Sequence, residues 1–478
     1  MISRSHRTPG RYSLTLCLCL PFLASCMMGP DFQRPETKVS AQWLGQAPVA
    51  VETAPAAVQD LAQWWTAFND PRLTSLVERA MQANLDLRLA ESRIRQARAS
   101  LGIAGADLGP AVDTAASFSR SRNPASSSRS EAVTGNLYQL GFDAGWEIDL
   151  FGGLRRGVEA AGADLDAARE SRRDLLVSLS AEVAGNYLNL RSLQQRLAIA
   201  RQNLKAQEHT ASLTSQRFSA GFASKLDVVR AEALAATTAG QIPLLEAQAR
   251  QTIYSLSLLL GSEPSALLAE LTPEGPLPVA LAAVPLGLPS DLLLRRPDIR
   301  KAEAGIHAAT ARIGVARADL FPSFTISGAL GLQGTTFSST FNRASTAWSF
   351  GPALNWPLFD LGRVRANLEL KEAVQEEELL SYEQTVLTAL GEVEHALIAS
   401  SREEEHRQAM ARAVAANRTA VELATALYTA GQNDFLTVLD AQRSLYAAED
   451  ALAQSSRNVS TNLVALFKAL GGGWRGQE

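Results

Sequence analysis

From Leu137 to Gly153 the chain reads LYQLGFDAGWEIDLFGG, and this stretch joins two incompatible periodicities. Between Tyr138 and Leu150 the even positions are Tyr, Leu, Phe, Ala, Trp, Ile and Leu, while the odd positions are Gln, Gly, Asp, Gly, Glu and Asp. An unbroken two-residue period marks a strand with one apolar and one polar face. After Gly152 and Gly153 the pattern turns helical for about 65 residues, roughly 100 Å at 1.5 Å per residue. A strand feeding a helix of that length is foreign to a compact globular domain.

The stretch recurs. Trp146 to Arg156 reads WEIDLFGGLRR and Trp356 to Ala366 reads WPLFDLGRVRA, an offset of 356 − 146 = 210. The same offset relates Gly221 to Gly431 and Gly261 to Gly471, and upstream it becomes 212, with Asp107 and Pro110 answering to Asp319 and Pro322. The chain is two copies of one unit. Residues 61–261 form the first copy, 298–471 the second, a Pro-rich linker at 262–297 joins them and 472–478 is a tail.

Each copy predicts two strands and a helical hairpin. The strands are expected at about 111–118 and 137–150, then 323–332 and 347–358, each pair joined by a polar loop. Asn69, Asp70 and Pro71 predict a cap and first helical turn. Asn84 separates that helix from one at about 85–108 with Leu89, Ile94 and Ala97 on one side. The returning helices carry heptad seams, Val228, Ala235, Ile242, Ala249 and Leu256 in one and Val438, Leu445, Leu452, Val459 and Leu466 in the other. Gly240 and Pro243 are expected to kink or interrupt the first of these. The linker is expected to hold at most one short helix, at 290–296.

The N-terminus reads as an export signal over 1–25, with Arg4, Arg7 and Arg11 ahead of an apolar run. It ends in Leu23, Ala24, Ser25 and Cys26, which resembles a bacterial lipobox, so Cys26 is expected to be acylated and to head a tether over 26–60. Removal of the signal takes the net charge from −4 to −4 − 3 = −7 and leaves Cys26 as the one cysteine. Such a chain argues against nucleic acid as a partner and against redox or zinc chemistry. The histidines at 6, 209, 307, 395 and 406 have no ligand spacing, and no nucleophile or phosphate-loop motif is present, so no enzyme, metal or cofactor is expected.

Past the signal no stretch has 18 consecutive apolar residues, so any membrane crossing falls to the strands. Four strands cannot close a barrel, and an open edge in lipid leaves backbone groups unpaired at several kcal/mol each. The chain is therefore expected to oligomerise, with a strand total that is a multiple of four; twelve or sixteen leave room for a pore.

The lipobox, the joint WEIDLFGG, LRRPDI at Leu294 to Ile299, FDLGR at Phe359 to Arg363 and YTAGQNDFLTVLDAQRSLY at Tyr428 to Tyr446 together resemble the TolC-like outer-membrane factor family. The likeness is to its lipoprotein channels of tripartite, RND-type multidrug efflux systems. It implies a homotrimer with a twelve-stranded outer-membrane β-barrel continued by a long periplasmic α-helical barrel. Its implied partners are a periplasmic adaptor protein and an inner-membrane pump, and its implied role is a passive exit channel for small molecules. An exit duct for secreted polypeptide and a non-conducting, lipid-anchored coiled-coil scaffold are the alternatives.

By motif position the resemblance implies a periplasmic gate at the hairpin turns. Leu436 resembles the apolar constriction and Asp440 an acidic ring, three carboxylates facing one another, with Asn433 and Asp434 adding polar contacts or shaping the turn. Thr437 stands where some relatives carry a second acid. Arg230 is the repeat equivalent of Asp440 (440 − 210 = 230), which makes an Arg230–Asp440 tether of the closed state an expectation. Gly221 and Gly431 read as helix C-caps, with a hinge role open. Trp146, Trp348 and Trp356 read as membrane-interface anchors, and Trp64 and Trp65 as packing in an equatorial belt.

Overall fold

A computed structural model describes residues 27–37, 39–44, 61–124, 131–279 and 287–474. Cys26, the export signal and part of the expected tether lie outside the described residues. The elements follow the repeat closely. A 3-10 turn (Trp64–Phe68) leads into α1 (Pro71–Ala83), α2 (Leu85–Ala106), β1 (Ala111–Asn123), β2 (Val133–Ile148), α3 (Gly153–Ser219) and α4 (Lys225–Leu259). Among the described residues of the linker there are two short helices, α5 (Leu268–Leu271) and α6 (Leu292–Arg295), one more than expected. Then come α7 (Pro297–Ala318), β3 (Ser323–Gly334), the short α8 (Phe337–Thr340), β4 (Thr346–Asn355), α9 (Arg363–Thr429) and α10 (Phe435–Ala469).

Helices α3 and α9 have 67 residues each and α4 and α10 have 35 each. Both pairs are related by the 210-residue offset, while α2 and α7, 22 residues each, are related by 212. The chain folds as two compact units that each draw on both copies.

One unit contains 93–168 and 301–382 with the N-terminal residues. Its sheet is antiparallel in the order β1-β2-β3-β4, so among the described residues the outer edges of β1 and β4 have no partner strand. The registers Thr114↔Phe142, Phe142↔Leu330 and Leu330↔Trp348 continue one row across all four strands. Residues directly opposite share a face, so Phe118, Leu140, Phe142, Trp146, Ile326, Leu330, Trp348 and Phe350 stand on one side. The other side carries Ser117, Gln139, Asp143, Ser327 and Ser349. β1 and β2 extend beyond the expected limits, through 119–123 and from 133, because the backbone ladder continues under polar side chains once the pairing is set.

Residues 27–36 in this unit form no helix or strand, yet they are fastened. Met28 N–H donates to Phe151 O at 3.0 Å, Phe32 stacks on His307 at 4.5 Å and Arg34 pairs with Glu303 at 2.8 Å.

The other unit contains 37–92, 169–300 and 383–478. Its core gathers Trp64, Trp65, Phe68, Leu73, Leu76, Val183, Tyr187, Leu256 and Phe467, with Trp64 stacked on Phe467 at 5.2 Å. Asp70 caps α1 by accepting from Arg72 and Leu73 N–H, and Asn84 Oδ1 accepts from Asp86 and Leu87 N–H to start α2. On α2 the buried residues are Leu87 and Ala90, whereas Leu89 is 56% exposed. Helix α4 runs uninterrupted through Gly240 and Pro243. Both residues are exposed, so the Pro243 ring, which gives the Ala239 carbonyl no N–H, stands on the outer side of the helix. The seam positions of α4 and α10 are all buried or half-buried.

Candidate functional site at the hairpin tips and strand joints

The turn from α3 to α4 is built by Gly221, whose φ of +82° is open to glycine and strained for other residues. Phe222 N–H reaches back to Arg217 O at 2.8 Å and Gly221 N–H to Phe218 O at 3.0 Å, the pair of bonds that ends a helix in a left-handed cap. Ser224 and Asp227 then start α4 with a reciprocal capping box. The turn from α9 to α10 repeats the design with Gly431 at φ +73° and Gln432 N–H on Leu427 O at 2.9 Å. The cap reading of both glycines is therefore seen directly.

Asp434 caps α10, accepting from Thr437 N–H at 3.2 Å and from the Thr437 hydroxyl at 2.8 Å. Those two bonds hold the Asp434 carboxyl below its ordinary range. Asn433 Oδ1 accepts from Asp434 N–H at 2.9 Å. Asn433, Asp434 and Thr437 are thus occupied in shaping the turn.

The tips are tied together by Arg217, which lies over the Tyr428 ring at 4.8 Å and donates to Thr429 O at 3.1 Å. Beneath it Tyr428, Phe435, Val438 and Leu439 form a small core with Ala231 and Ala424. Leu436 points away from that core and is 44% exposed. Arg230 and Asp440 are both exposed, and among the described residues neither makes an ion pair or hydrogen bond. The expected tether does not form within one chain.

At the joints, Gly152 (φ +78°) and Gly362 (φ +87°) turn strand into helix at positions 210 apart. Asp149 accepts from Arg155 N–H at 2.9 Å, and Asp360 from Gly362 and Val364 N–H at 3.0 and 2.9 Å. The Val364 bond, with the other N–H groups of that helix start, holds the Asp360 carboxyl below its usual range. Trp146 donates its indole N–H to Leu108 O at 2.9 Å and Trp356 donates to Leu320 O at 3.1 Å, equivalent bonds in the two copies. Trp348 stands on the apolar face and is 76% exposed.

Between the joints lies a cavity of about 530 Å³ lined by Asp107, Asp149, Asp319, Phe321 and Arg363 among others. Burial raises the Asp319 carboxyl, opposed by Arg363. No group of carboxylates, His or Cys among the described residues has the geometry of a metal site.

Two arginine clamps were not anticipated. Arg156, whose side chain is 2% exposed, donates to Met28 O at 3.2 Å and pairs with Asp31 at 2.6 Å and Glu159 at 2.7 Å. Arg296 pairs with Asp298 at 2.6 Å and Glu392 at 2.7 Å and donates to Ala469 O at 2.9 Å. The signals were the second Arg after the Gly pair and the second Arg of LRRPDI, each read only as part of a motif.

The family model for outer membrane efflux proteins matches residues 76–262 and 288–472, one match per copy of the repeat. The chain belongs to the outer membrane efflux protein family. A probable efflux pump outer membrane protein, SepC, of Pseudomonas putida is 37% identical over 458 residues, 95% of each chain. The toluene efflux pump outer membrane protein TtgF, also of Pseudomonas putida, is equally similar, at 37% over 458 residues and 95% of each chain. Among solved structures, the outer-membrane channel OprN superposes with a TM-score of 0.89 at 39% identity, over 94% of this chain and 100% of that one. The expected resemblance, the outer-membrane address and the role as a channel of an efflux system are borne out, and the pore-free scaffold falls away.

Proposed function

We propose that three copies of this chain form a passive exit duct that carries small molecules from an inner-membrane pump, through a periplasmic adaptor, to the exterior. The observation that carries the reading is the four-stranded sheet with two edges unpaired among the described residues and one predominantly apolar face. Pairing β1 of one copy with β4 of the next satisfies both edges, and three copies give a twelve-stranded barrel with an aqueous bore. The apolar rows meet lipid and the Ser, Gln and Asp rows line the passage. Trp146, Trp348 and Trp356 anchor the wall at the membrane, and a lipid on Cys26 holds the N-terminal segment to the same membrane. The chain contributes no catalysis, and the pump supplies the energy.

At the tips, Leu436 forms the apolar constriction and Asp440 a ring of carboxylates, with Arg230 reaching Asp440 across subunits rather than within one. Gly221 and Gly431 allow the tips to bend. The test is reconstitution of the mature protein in planar bilayers with its mass measured in detergent. Discrete conductance steps from a trimer are expected. A monomer that never conducts would overturn the barrel and the duct with it.

A further inference from the structure

The alternation that builds the apolar face of β1 does not stop at Phe118. Arg120 and Arg122 are the next positions of the same parity, and their registers, Arg120↔Asn136 and Arg122↔Thr134, continue the row that holds Phe118↔Tyr138. They therefore stand on the lipid side, while Ser119 and Ser121 take the other. Both arginines are exposed, and among the described residues neither makes a hydrogen bond or ion pair.

A guanidinium on the lipid face of a barrel is strongly disfavoured at the midplane and nearly neutral at the interface, so depth decides what these residues do. Trp146 marks one end of the apolar face and the Phe118–Tyr138 ring pair, 4.7 Å apart, the other. The eight residue steps from Tyr138 to Trp146 span ~26 Å of strand, ~20 Å after a tilt of ~40°, most of an apolar band ~25 Å tall. Arg120 and Arg122 lie ~5 and ~10 Å beyond it, at headgroup level, on the end of the sheet opposite the joints to α3 and α9.

Charge at that end is one-sided. Between Asp113 and Asp143 the one acid is Glu131, and the second hairpin has a single charged residue between Phe321 and Phe359, Arg343. Arginine, with its planar fork of donors, is suited to phosphate oxygens, and two forks at i and i+2 stand ~7 Å apart on one face. We propose that Arg120 and Arg122 bind phosphate groups of lipid headgroups in the outer leaflet, fixing the barrel's depth and ringing it with anionic lipid. The inference rests on the sheet being the membrane wall.

The test uses the full-length trimer in vesicles of zwitterionic phospholipid with and without phosphatidic acid, with lipids that survive extraction counted by native mass spectrometry. Wild-type trimer is expected to retain phosphatidic acid, and Arg120→Gln/Arg122→Gln to retain roughly tenfold less. A face-swapped variant, Arg120→Ser/Arg122→Ser with Ser119→Arg/Ser121→Arg, keeps the net charge and is expected to lose retention as well. Equal retention in either variant overturns the site, and displacement of the lipid by excess inorganic phosphate overturns lipid as the occupant. If the double Gln variant does not assemble, Arg122→Gln alone decides on the same scale. Failure of the wild-type chain to insert would instead strike the membrane-wall reading, whereas an inserted trimer with unaltered lipid strikes only this proposal.

Discussion

Gly29 lies directly on Gly314 of α7, so closely that a Cβ on Gly29 would stand 2.5 Å from the Gly314 Cα. A Cβ on Gly314 would meet Arg156 Cγ at 2.7 Å and Met28 O at 2.8 Å. Neither backbone has room to retreat, because the same segment is held by Arg156, by Phe32 on His307 and by Arg34 on Glu303. Gly314→Ala is expected to lift residues 27–36 from α7 at a cost of about 1–3 kcal/mol, the usual range for overpacking. Faster proteolytic cutting within this segment, at unchanged trimer mass, is the measurement. Wild-type cutting rates would show that the contact can relax.

The same fastening depends on pH through Glu159. Burial pushes its carboxyl up, but hydrogen bonds from His307 at 2.9 Å and Arg156 at 2.7 Å outweigh that and hold it below its ordinary value. A depressed carboxylate contributes stability above its unfolded pKa and loses it as pH falls through the lower folded value. The segment is therefore expected to hold at neutral pH and to loosen only at pH below the ordinary glutamate range. In Glu159→Gln the protection against cutting should be weaker at pH 7 and flatter toward acid. A variant that tracks the wild-type acid profile would remove Glu159 as the cause.

Arg296, in the LRRPDI segment, joins the start of α7 to α9 and to the end of α10 through Asp298, Glu392 and Ala469 O. Desolvation works against its charge, yet the two carboxylates keep its pKa above the ordinary guanidinium value. Arg296→Ala leaves Asp298, Glu392 and the carbonyl without their donor, and is expected to lower stability by about 2 kcal/mol. Arg296→Lys, which lacks the fork, should recover only part of it. A thermal melt of the detergent-solubilised trimer separates the three proteins.

What was legible in the sequence is what repeats. The 210-residue offset, the strand period around Trp146 and the glycines at 221 and 431 set the elements, because hydrophobic period and left-handed turns act within a few residues of where they are read. The clamp of Arg156 on Asp31 was not legible, since its partners are 125 residues apart and belong to no period. The apolar side of α2 was legible as Leu89, Ile94 and Ala97, but which of its residues the packing buries, Leu87 and Ala90, was not. The extension of β1 through Arg120 and Arg122 was hidden for the same reason: polar side chains signal a loop, but strand pairing is made by the backbone and runs on as long as the partner strand does.

The tip gives the last expectation. Asp440 and Arg230 are exposed and without partners among the described residues, nearly two helical turns below the caps that Asp434 and Ser224 provide. Both are free to meet a neighbouring subunit, and three Asp440 carboxylates brought together repel unless a cation or guanidinium stands between them. Asp440→Ala is expected to raise single-channel conductance, and Asp440→Ala/Arg230→Ala to raise it no further, because each variant breaks the same contact. An additive effect would mean that the two side chains act separately. Conductance unchanged in both variants would remove them from the gate and leave Leu436, 44% exposed on the same turn, as the constriction to probe by Leu436→Ser.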